Sequence, residues 1–475
     1  MSAAIQTDIP ARLDRLPWSR FHLLVVIALG ITWVLDGLEV TIVGSIGPML
    51  QDKQTLALST QAIGVVASCY VTGAVAGALI FGWLTDRFGR RLIFNVTLMV
   101  YVAGVILSAC SWDAWSFGLF RLITGLGIGG EYAAINSAID ELIPARLRGR
   151  VDLIVNGSFW AGAAVGAGAS LLLLDGSLVS VDLGWRLGFA VGGILGLGIL
   201  LLRRFVPESP RWAVTHGYEE EARRDVAEIE RRVREGGARL PEPEGSLTIH
   251  PRKTFGFGII VKAMTGDFRS RSLLAITLMV AQAFLFNAVF FTYGLVLSTF
   301  YGVPENRAGA YILPLAVGNF MGPLVLGHLF DTVGRRKMIS GTYGVAGVLL
   351  LATAVLFGMG LFGPVTQTAA WMVIFFVASA AASSAYLTAS EIFPLETRAM
   401  AIALFYAIGT AIGGVAAPSL FGRLIGSGEP WMLSMGYGLA ALFMLVAAGA
   451  EAKLGVDAEG KSLESIAQPL SGQGA

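Results

Sequence analysis

Charge and cysteine are what this sequence has least of. Asp, Glu, Lys and Arg make up 14% of its 475 residues, roughly half the share of a soluble domain. A soluble enzyme and a disordered scaffold are excluded on that ground. The two cysteines, Cys69 and Cys110, lie inside or at the end of apolar runs without Cys-x-x-Cys spacing. They read as small buried hydrophobes, which excludes a disulfide-stapled secreted domain. Neither sign of charge is in excess: 34 Lys and Arg stand against 33 Asp and Glu, a net +1. No basic field therefore points to nucleic acid. The four histidines, His22, His216, His250 and His328, show no metal-ligand spacing. No nucleophile–base pair is visible either, so the expectation is no metal, no cofactor and no catalysis.

What the chain does have is apolar length. Its residues are 55% hydrophobic with 60 glycines, and the mean hydropathy is +0.69. Runs long enough to cross a bilayer core, about 20 residues, fall at 22–47, 60–83, 92–112, 114–139, 151–174 and 185–205. They resume at 271–299, 307–330, 338–360, 368–390, 399–424 and 430–452. These are spans 1 to 12. They lack the two-residue alternation of a membrane barrel. The expected fold is thus an all-α membrane protein of twelve transmembrane helices in two six-helix pseudo-repeats. The divisions are an N-terminal segment 1–21, a first half 22–205, a central loop 206–270, a second half 271–452 and a tail 453–475. The first twenty residues mix acids, arginines and two prolines, and the run after them exceeds a signal-peptide core, so it reads as span 1 and not a leader.

Short-loop cations orient the bundle. With the N-terminus inside, the inner loops carry Arg87, Arg90, Arg91, Arg146, Arg148, Arg150, Arg335, Arg336, Lys337 and Arg398. The outer loops carry Lys53 and Arg307, with Arg186 and Arg423 at span edges. Both termini are therefore expected in the cytoplasm, in an inner (plasma) membrane of bacterial type. In the central loop, HGYEEEARRDVAEIERRVREGG reads as an amphipathic surface helix with Glu219–Arg223 and Glu220–Arg224 pairs. A solvated strap joining the halves is the leading reading of that loop, and a docking surface the lesser one.

The halves repeat. GWLTDRFGRR at 82–91 and GHLFDTVGRR at 327–336 share six of ten residues. Glu141, Pro144 and Arg148 recur at equal spacing as Glu391, Pro394 and Arg398. Offsets of 245 and 250 give two unrelated motifs nearly one period. A parallel repeat of six-helix halves is a secondary-transporter design, with the substrate site between halves near mid-membrane.

On these residues the chain resembles the major facilitator superfamily over nearly its whole length. The repeated Gly-x-x-x-Asp-x-x-Gly-Arg-Arg loop is that superfamily's hallmark. PESPRW at 207–212, Gln282 and Asn287 in QAFLFNAVFFTY, SEIFP at 390–394 and GKSLESI at 460–466 are similar to the sugar porter branch and its metabolite–proton symporter relatives. LDGLE at 35–39 is similar to the paired-acid first helix of aromatic-acid–proton symporters. Span 10 departs from sugar porters with SSAY at 383–386, and span 5 offers Asn156 where sugar binders favour glutamine.

Ionisable groups in lipid cost at least about 2.5–3.5 kcal/mol each at mid-helix, so Asp36, Glu39, Arg121 and Glu131 each demand a role. Depth along spans 1 and 4 places Glu39 level with Arg121, which predicts an ion pair. The resemblance implies the same, since an acid of helix 1 and an arginine of helix 4 couple protons in such symporters. Neutralising Glu39 would free Arg121; the bland alternative is a static bridge. Asp36 is the second candidate proton carrier. Spans 7 to 12 hold only neutral polar groups well inside, so substrate recognition is expected from Gln282, Asn287, Asn319 and Tyr406, with Asn156 and Trp160 from span 5. Asp86, Arg90, Glu141, Arg148, Asp331, Arg335, Glu391 and Arg398 are expected to form latches on the inner face, with Glu131 at the inner gate or against substrate. GLGIGG at 125–130 mimics a nucleotide fingerprint but sits within an apolar helix, so its glycines are expected to let helices approach, as are Gly162–Gly166 and Gly192–Gly196.

The leading expectation is proton-coupled symport of a small polar metabolite, sugar or polyol-like, by rocking of the halves. Symport of a monocarboxylic or aromatic acid is the first alternative. A proton-driven exporter or a transport-silent sensor on the same fold follows, with uniport less favoured. The expected partners are the substrate, protons and the lipid bilayer, with no nucleic acid and no required oligomer.

Overall fold

In the computed structural model the described residues are 5–173, 178–202, 206–243, 245–251, 262, 264–290 and 292–470. Most of the later central loop, 252–261, and the last tail residues, 471–475, lie outside them. Spans 1 to 6 are the helices Arg20–Ser45, Thr60–Phe88, Arg90–Ala109, Ala114–Leu142, Arg148–Leu173 and Val181–Leu202. Spans 8, 9, 10 and 12 are Glu305–Thr332, Arg335–Gly358, Pro364–Glu391 and Pro430–Leu454. Spans 7 and 11 are each interrupted. Span 7 runs Arg269–Leu285, then a π segment Phe286–Phe290, then Tyr293–Tyr301. Span 11 runs Arg398–Gly409, a π segment Thr410–Ala416, then Ala417–Gly426.

Ten of these helices are long and apolar enough to cross a membrane by length and composition. Spans 4 and 5 match them in length, with 29 and 26 residues. They are less apolar because they carry Arg121, Glu131, Asp140, Asp152 and Asn156.

Small residues set the distance between helices. A Cβ on Gly125 or Gly129 of span 4 would lie 2.1 Å from the Tyr70 carbonyl oxygen or 2.0 Å from that of Ala74 on span 2. On span 5, a Cβ at Gly162 would lie 1.8 Å from the Val34 carbonyl oxygen on span 1. Backbones this close gain dispersion contacts that lipid cannot supply. The repeat extends to this packing. Gly73 and Gly77 face the carbonyls of Leu122 and Leu126, and 245 residues later Gly318 and Gly322 face those of Met372 and Phe376. Forcing a side chain into such a contact costs about 1–3 kcal/mol or more. Gly162→Val is therefore expected to lower the melting temperature and monodispersity of the purified protein, and an unchanged melting curve would contradict the close approach.

Two glycines are demanded by the backbone itself. The links between spans 2 and 3 and between spans 8 and 9 turn at Gly89 (φ 94°) and Gly334 (φ 117°), a region costly for residues with a Cβ. These are the glycines before the paired arginines of the repeated loop.

At the end of the bundle that carries both termini, the N-terminal segment is zipped to the central loop. Strand Ile5–Thr7 pairs antiparallel with Leu247–Ile249. Helix Glu219–Glu235 buries Ala222, Val226, Ile229 and Val233 in a cluster that includes Ile9, Leu13 and Leu16. Arg12 and Arg15 both pair with Glu230, at 2.8 and 2.6 Å. The expectation of a simple solvated strap is corrected here, because the apolar face of this helix is covered by the chain's own N-terminal segment. Glu219 and Arg223 pair at 2.7 Å, whereas Arg224 donates to the Glu220 carbonyl at 3.4 Å and not to its carboxylate. Burial beside Trp212 pushes the His216 imidazole down to about 4. His216 therefore stays neutral across the physiological pH range.

Candidate functional site

The termini-bearing end is sealed by two copies of one ion-pair cluster. In the first, Arg90 donates to Glu141 (2.8 Å) and to Asp86 (3.3 Å). In the second, Arg335 donates to Glu391 (2.9 Å) and to Asp331 (2.8 Å). Each aspartate then reaches across to the other half. Asp86 accepts from the backbone of Ala399 and Met400 (3.3 and 2.9 Å), at the start of span 11. Asp331 accepts from Gly149 and Arg150 (3.1 and 2.8 Å), at the start of span 5. A carboxylate on a helix N-terminus meets both its free N–H groups and its dipole. Two ion pairs also cross between halves: Arg398–Glu141 at 3.4 Å and Arg148–Glu391 at 3.6 Å. All four arginines are at most 2% exposed. Farther out, Arg211 pairs with Glu464 and Asp14, tying the tail and N-terminal segment to the link after span 6. Burial works against the Glu464 carboxylate, but the Arg211 charge beside it holds its pKa below the usual glutamate value.

A cavity of about 540 Å³ lies between the halves on the other side of this seal. It is walled by rings of both halves, among them Trp33, Tyr132, Trp160, Phe286, Tyr386 and Tyr406. Leu50, five residues past span 1, Ile63 at the start of span 2 and Pro418 in the last helical piece of span 11 line it as well. The cavity therefore extends away from the latch. Trp33 stacks on Tyr132 with centroids 4.6 Å apart, and Tyr132 meets Tyr406 edge-on at 4.7 Å. Both π segments reach this wall, through Phe286 and Asn287 of span 7 and Thr410 and Gly414 of span 11. Single-turn π elements recur at functional sites because they re-aim side chains and free backbone groups.

Of the polar residues expected at a binding site, Gln282, Asn287, Asn156, Trp160 and Tyr406 line the cavity, and Phe159 joins them. Asn319 does not. It is fully buried, and its amide donates to the Leu315 carbonyl on its own helix. Its expected substrate contact is corrected: Asn319 is not among the lining residues, and its Oδ1 accepts no hydrogen bond among the described residues. His328 sits on an exposed face and bonds the Val325 carbonyl.

Behind the wall lie the acids. Glu39 and Arg121 form an ion pair, 2% exposed each. Arg121 is a lining residue and Glu39 is not. The guanidinium is clasped between rings, 4.4 Å from the Tyr70 centroid and 5.5 Å from that of Phe189. Asp36 accepts a 2.5 Å hydrogen bond from the Tyr132 hydroxyl and is 1% exposed. Asp36 Oδ1 and Glu39 Oε2 accept no well-aligned hydrogen bond among the described residues. Glu131, expected at the inner gate or against substrate, is buried beside Tyr132 at mid-span, about 15 Å along the helix from Glu141, and is not among the residues lining the cavity.

Sequence reasoning missed Tyr132, Tyr386, Trp33 and Tyr70. A tyrosine at i−4 from Asn136 in the stripe that faces span 5 was the available signal for Tyr132. The SSAY departure at 383–386 pointed at Tyr386, whereas aromatic residues are so common in the spans that nothing marked Trp33 and Tyr70.

A cavity between two pseudo-equivalent six-helix halves, sealed at one end and reaching toward the other, is the arrangement of a membrane transporter. Comparison with known proteins places the chain. The family model described as Sugar (and other) transporter matches residues 26–464, and the chain belongs to that family. It is 26% identical to the niacin transporter NiaP of Acinetobacter baylyi, over 97% of this chain and 99% of that one. It is 26% identical to the 4-hydroxybenzoate transporter PcaK of the same species, over 94% and 93%. The arabinose-proton symporter of Bacillus subtilis is 27% identical over 92% of each. The solved structure of the proton:xylose symporter XylE bound to 6-bromo-6-deoxy-D-glucose superposes with a TM-score of 0.74 at 20% identity, covering 94% of this chain and 98% of that chain. The fold is therefore that of the major facilitator superfamily.

Proposed function

We propose that this protein is a proton-coupled importer of a small, flat aromatic or heteroaromatic monocarboxylate, working by alternating access with both termini in the cytoplasm. The observation that carries the reading is the wall of the cavity. Nine aromatic rings from both halves stand in it among aliphatic residues, and the cation in it, Arg121, is held by an acid from behind. Rings favour a flat π-faced solute, and a guanidinium matches a carboxylate bidentately. The names of two relatives, a niacin transporter and a 4-hydroxybenzoate transporter, agree with that chemistry.

Coupling follows from charge. Asp36, Glu39 and Glu131 against Arg121 leave a net negative site when all are ionised, which repels a carboxylate. Protonation of Glu39 from outside releases Arg121 to the substrate, so the proton binds first and the anion second. Bound together they add no net charge, and Arg121 then faces the substrate carboxylate in place of Glu39; that exchange favours closure of the outer side and release of the latch. In the cytoplasm, loss of the substrate returns Arg121 to Glu39 and expels the proton. The inward side is assigned from the cation-rich loops at the latch end.

A second reading, a sugar or polyol, draws on Gln282, Asn287 and Asn156 in the same wall. A panel measured by counterflow in proteoliposomes separates them. The expected result is exchange of labelled 4-hydroxybenzoate or nicotinate that unlabelled aromatic acids inhibit and hexoses, pentoses and polyols do not. Inhibition by the sugars alone would reverse the assignment. Within the aromatic reading, Trp33→Ala should raise KM up to about tenfold, the worth of roughly 0.5–1.5 kcal/mol for one ring contact. An unchanged KM would take Trp33 out of the binding wall.

A further inference from the structure

Two carboxylates at the latch have no part in it as described so far. Asp140 and Asp152 are fully buried, and none of their four carboxylate oxygens accepts a well-aligned hydrogen bond among the described residues. The charges facing Asp140 are Glu391, Arg148, Arg398 and Asp152. Those facing Asp152 are Asp140, Glu391 and Arg335. The arginines are already committed. Arg335 bonds Glu391 and Asp331, Arg398 reaches Glu141, and Arg148 uses its Nε on the Asp140 backbone carbonyl. In the cluster as a whole, six acids (Asp86, Glu141, Asp140, Asp152, Asp331, Glu391) face four arginines (Arg90, Arg148, Arg335, Arg398). Asp140 and Asp152 are the two of the six with no arginine paired to their carboxylates; the Ser390 hydroxyl stands beside the first and the Asn156 amide beside the second. Burying two uncompensated carboxylates is prohibitive, so such groups take protons instead.

A separate feature leads from this pair to the cavity. Spans 4 and 5 run antiparallel, and their facing polar residues form a ladder. Tyr132, Asn136 and Asp140 recur every four residues on span 4, and Asp152 and Asn156 do so on span 5. Asn156 donates to Asn136 at 3.0 Å and to the Asp152 carbonyl at 2.9 Å, and Asn136 donates to the Tyr132 carbonyl at 2.8 Å. Tyr132 is the residue that bonds Asp36. Asn156 is 5% exposed and lines the cavity, and its carboxamide oxygen accepts no hydrogen bond among the described residues. The ladder thus spans about 12 Å from the Asp36 site to the latch.

We propose that Asp140 and Asp152 are a latch-gated proton site, which holds a proton while the termini-bearing end is shut and gives it to water when that end opens. The sealed state buries the pair beside Glu391 and favours the protonated form. Opening hydrates both acids and favours the ionised form, so the proton passes to entering water as hydronium and the carboxylate remains. The sealed state then binds more protons than the open one. By linkage the open-to-sealed ratio rises with pH, about tenfold per pH unit for each proton released. The site places the last proton step of the proposed symport at the latch, and to that extent it rests on the reading above.

The test uses the full-length protein with Cys69→Ser and Cys110→Ser and spin labels at Arg91→Cys and Lys337→Cys, exposed positions on opposite halves at this end. Pulsed EPR distances are recorded from about pH 6 to pH 9. The expected result is a pH-driven shift from the short to the long distance, lost in Asp140→Asn/Asp152→Asn and kept in Asp152→Glu. Asparagine is isosteric and neutral, so a merely structural role would leave the pH profile unmoved. A shift of wild-type size in the double variant, or no shift in the wild type, overturns the proposal. Proton-driven uptake, measured on the same wild-type preparation, reports separately on the function. Absent accumulation with the distance shift intact removes the symport reading and leaves the gated site standing.

Discussion

Reconstituted in liposomes, Glu39→Gln is expected to exchange labelled substrate across the membrane but to accumulate none of it against an inward proton gradient. Glutamine keeps the shape of the side chain while removing its proton and its charge. Arg121, which in the native protein pairs with Glu39 behind the cavity wall, is then permanently available to a carboxylate. Binding should no longer require acid, so the affinity for substrate at neutral pH should rise and its dependence on outside pH should flatten. Symport of one proton with a monovalent anion moves no net charge, so the native protein can accumulate about tenfold per pH unit of gradient. The variant's ratio should fall to one. Accumulation equal to wild type would remove Glu39 from coupling and transfer the role to Asp36, which Tyr132 orients at 2.5 Å.

The second large effect is expected at the latch. In Glu141→Gln/Glu391→Gln, the acceptors of Arg90, Arg398, Arg335 and Arg148 are neutralised together. Removing one partner of a buried pair costs about 3–5 kcal/mol, because the charge left behind has no compensation. Part of that cost falls equally on both conformations, since Arg90–Glu141 and Arg335–Glu391 lie within single halves. The part carried by the two cross-half pairs and by disordering of their arginines acts on the sealed state alone. A bias of about 1.4–3 kcal/mol there shifts the population tenfold to more than a hundredfold toward opening at the termini-bearing end. Net uptake should fall at least tenfold, and a label near this end should become reactive from that side without substrate. A sealed conformation as populated as in the wild type would show that the cluster sets topology and does not gate.

The fold was legible from the apolar runs because lipid leaves a chain few solutions, and the twelve expected stretches coincide with helices. The ion-pair cluster at the termini-bearing end was legible for a different reason. Its residues recur at offsets of 245 and 250, and a repeat displays its own constraints. The same offset carries Gly73 and Gly77 onto Gly318 and Gly322, a correspondence that glycine's abundance concealed. The depth argument reached Glu39 and Arg121 because both lie on regular helices of known rise. It did not pick out Trp33, Tyr70, Tyr132 and Tyr386, which line the cavity from spans 1, 2, 4 and 10, because rings recur throughout the spans and carry no charge that demands a role. Asn319 shows the opposite limit: polarity within a span indicates a hydrogen bond, and there the partner is the span's own backbone. Asp140 and Asp152 passed unnoticed beside the repeated Glu141 and Arg148, although two further acids without matching cations were in view.

The most direct test of the account is uptake of labelled 4-hydroxybenzoate into proteoliposomes across an imposed inward proton gradient, with internal pH followed by a trapped dye and protein-free vesicles as the baseline. The account predicts accumulation above that baseline together with acidification of the interior in a fixed ratio to substrate, both abolished by Glu39→Gln. Substrate entry that only equilibrates and moves no protons would contradict it.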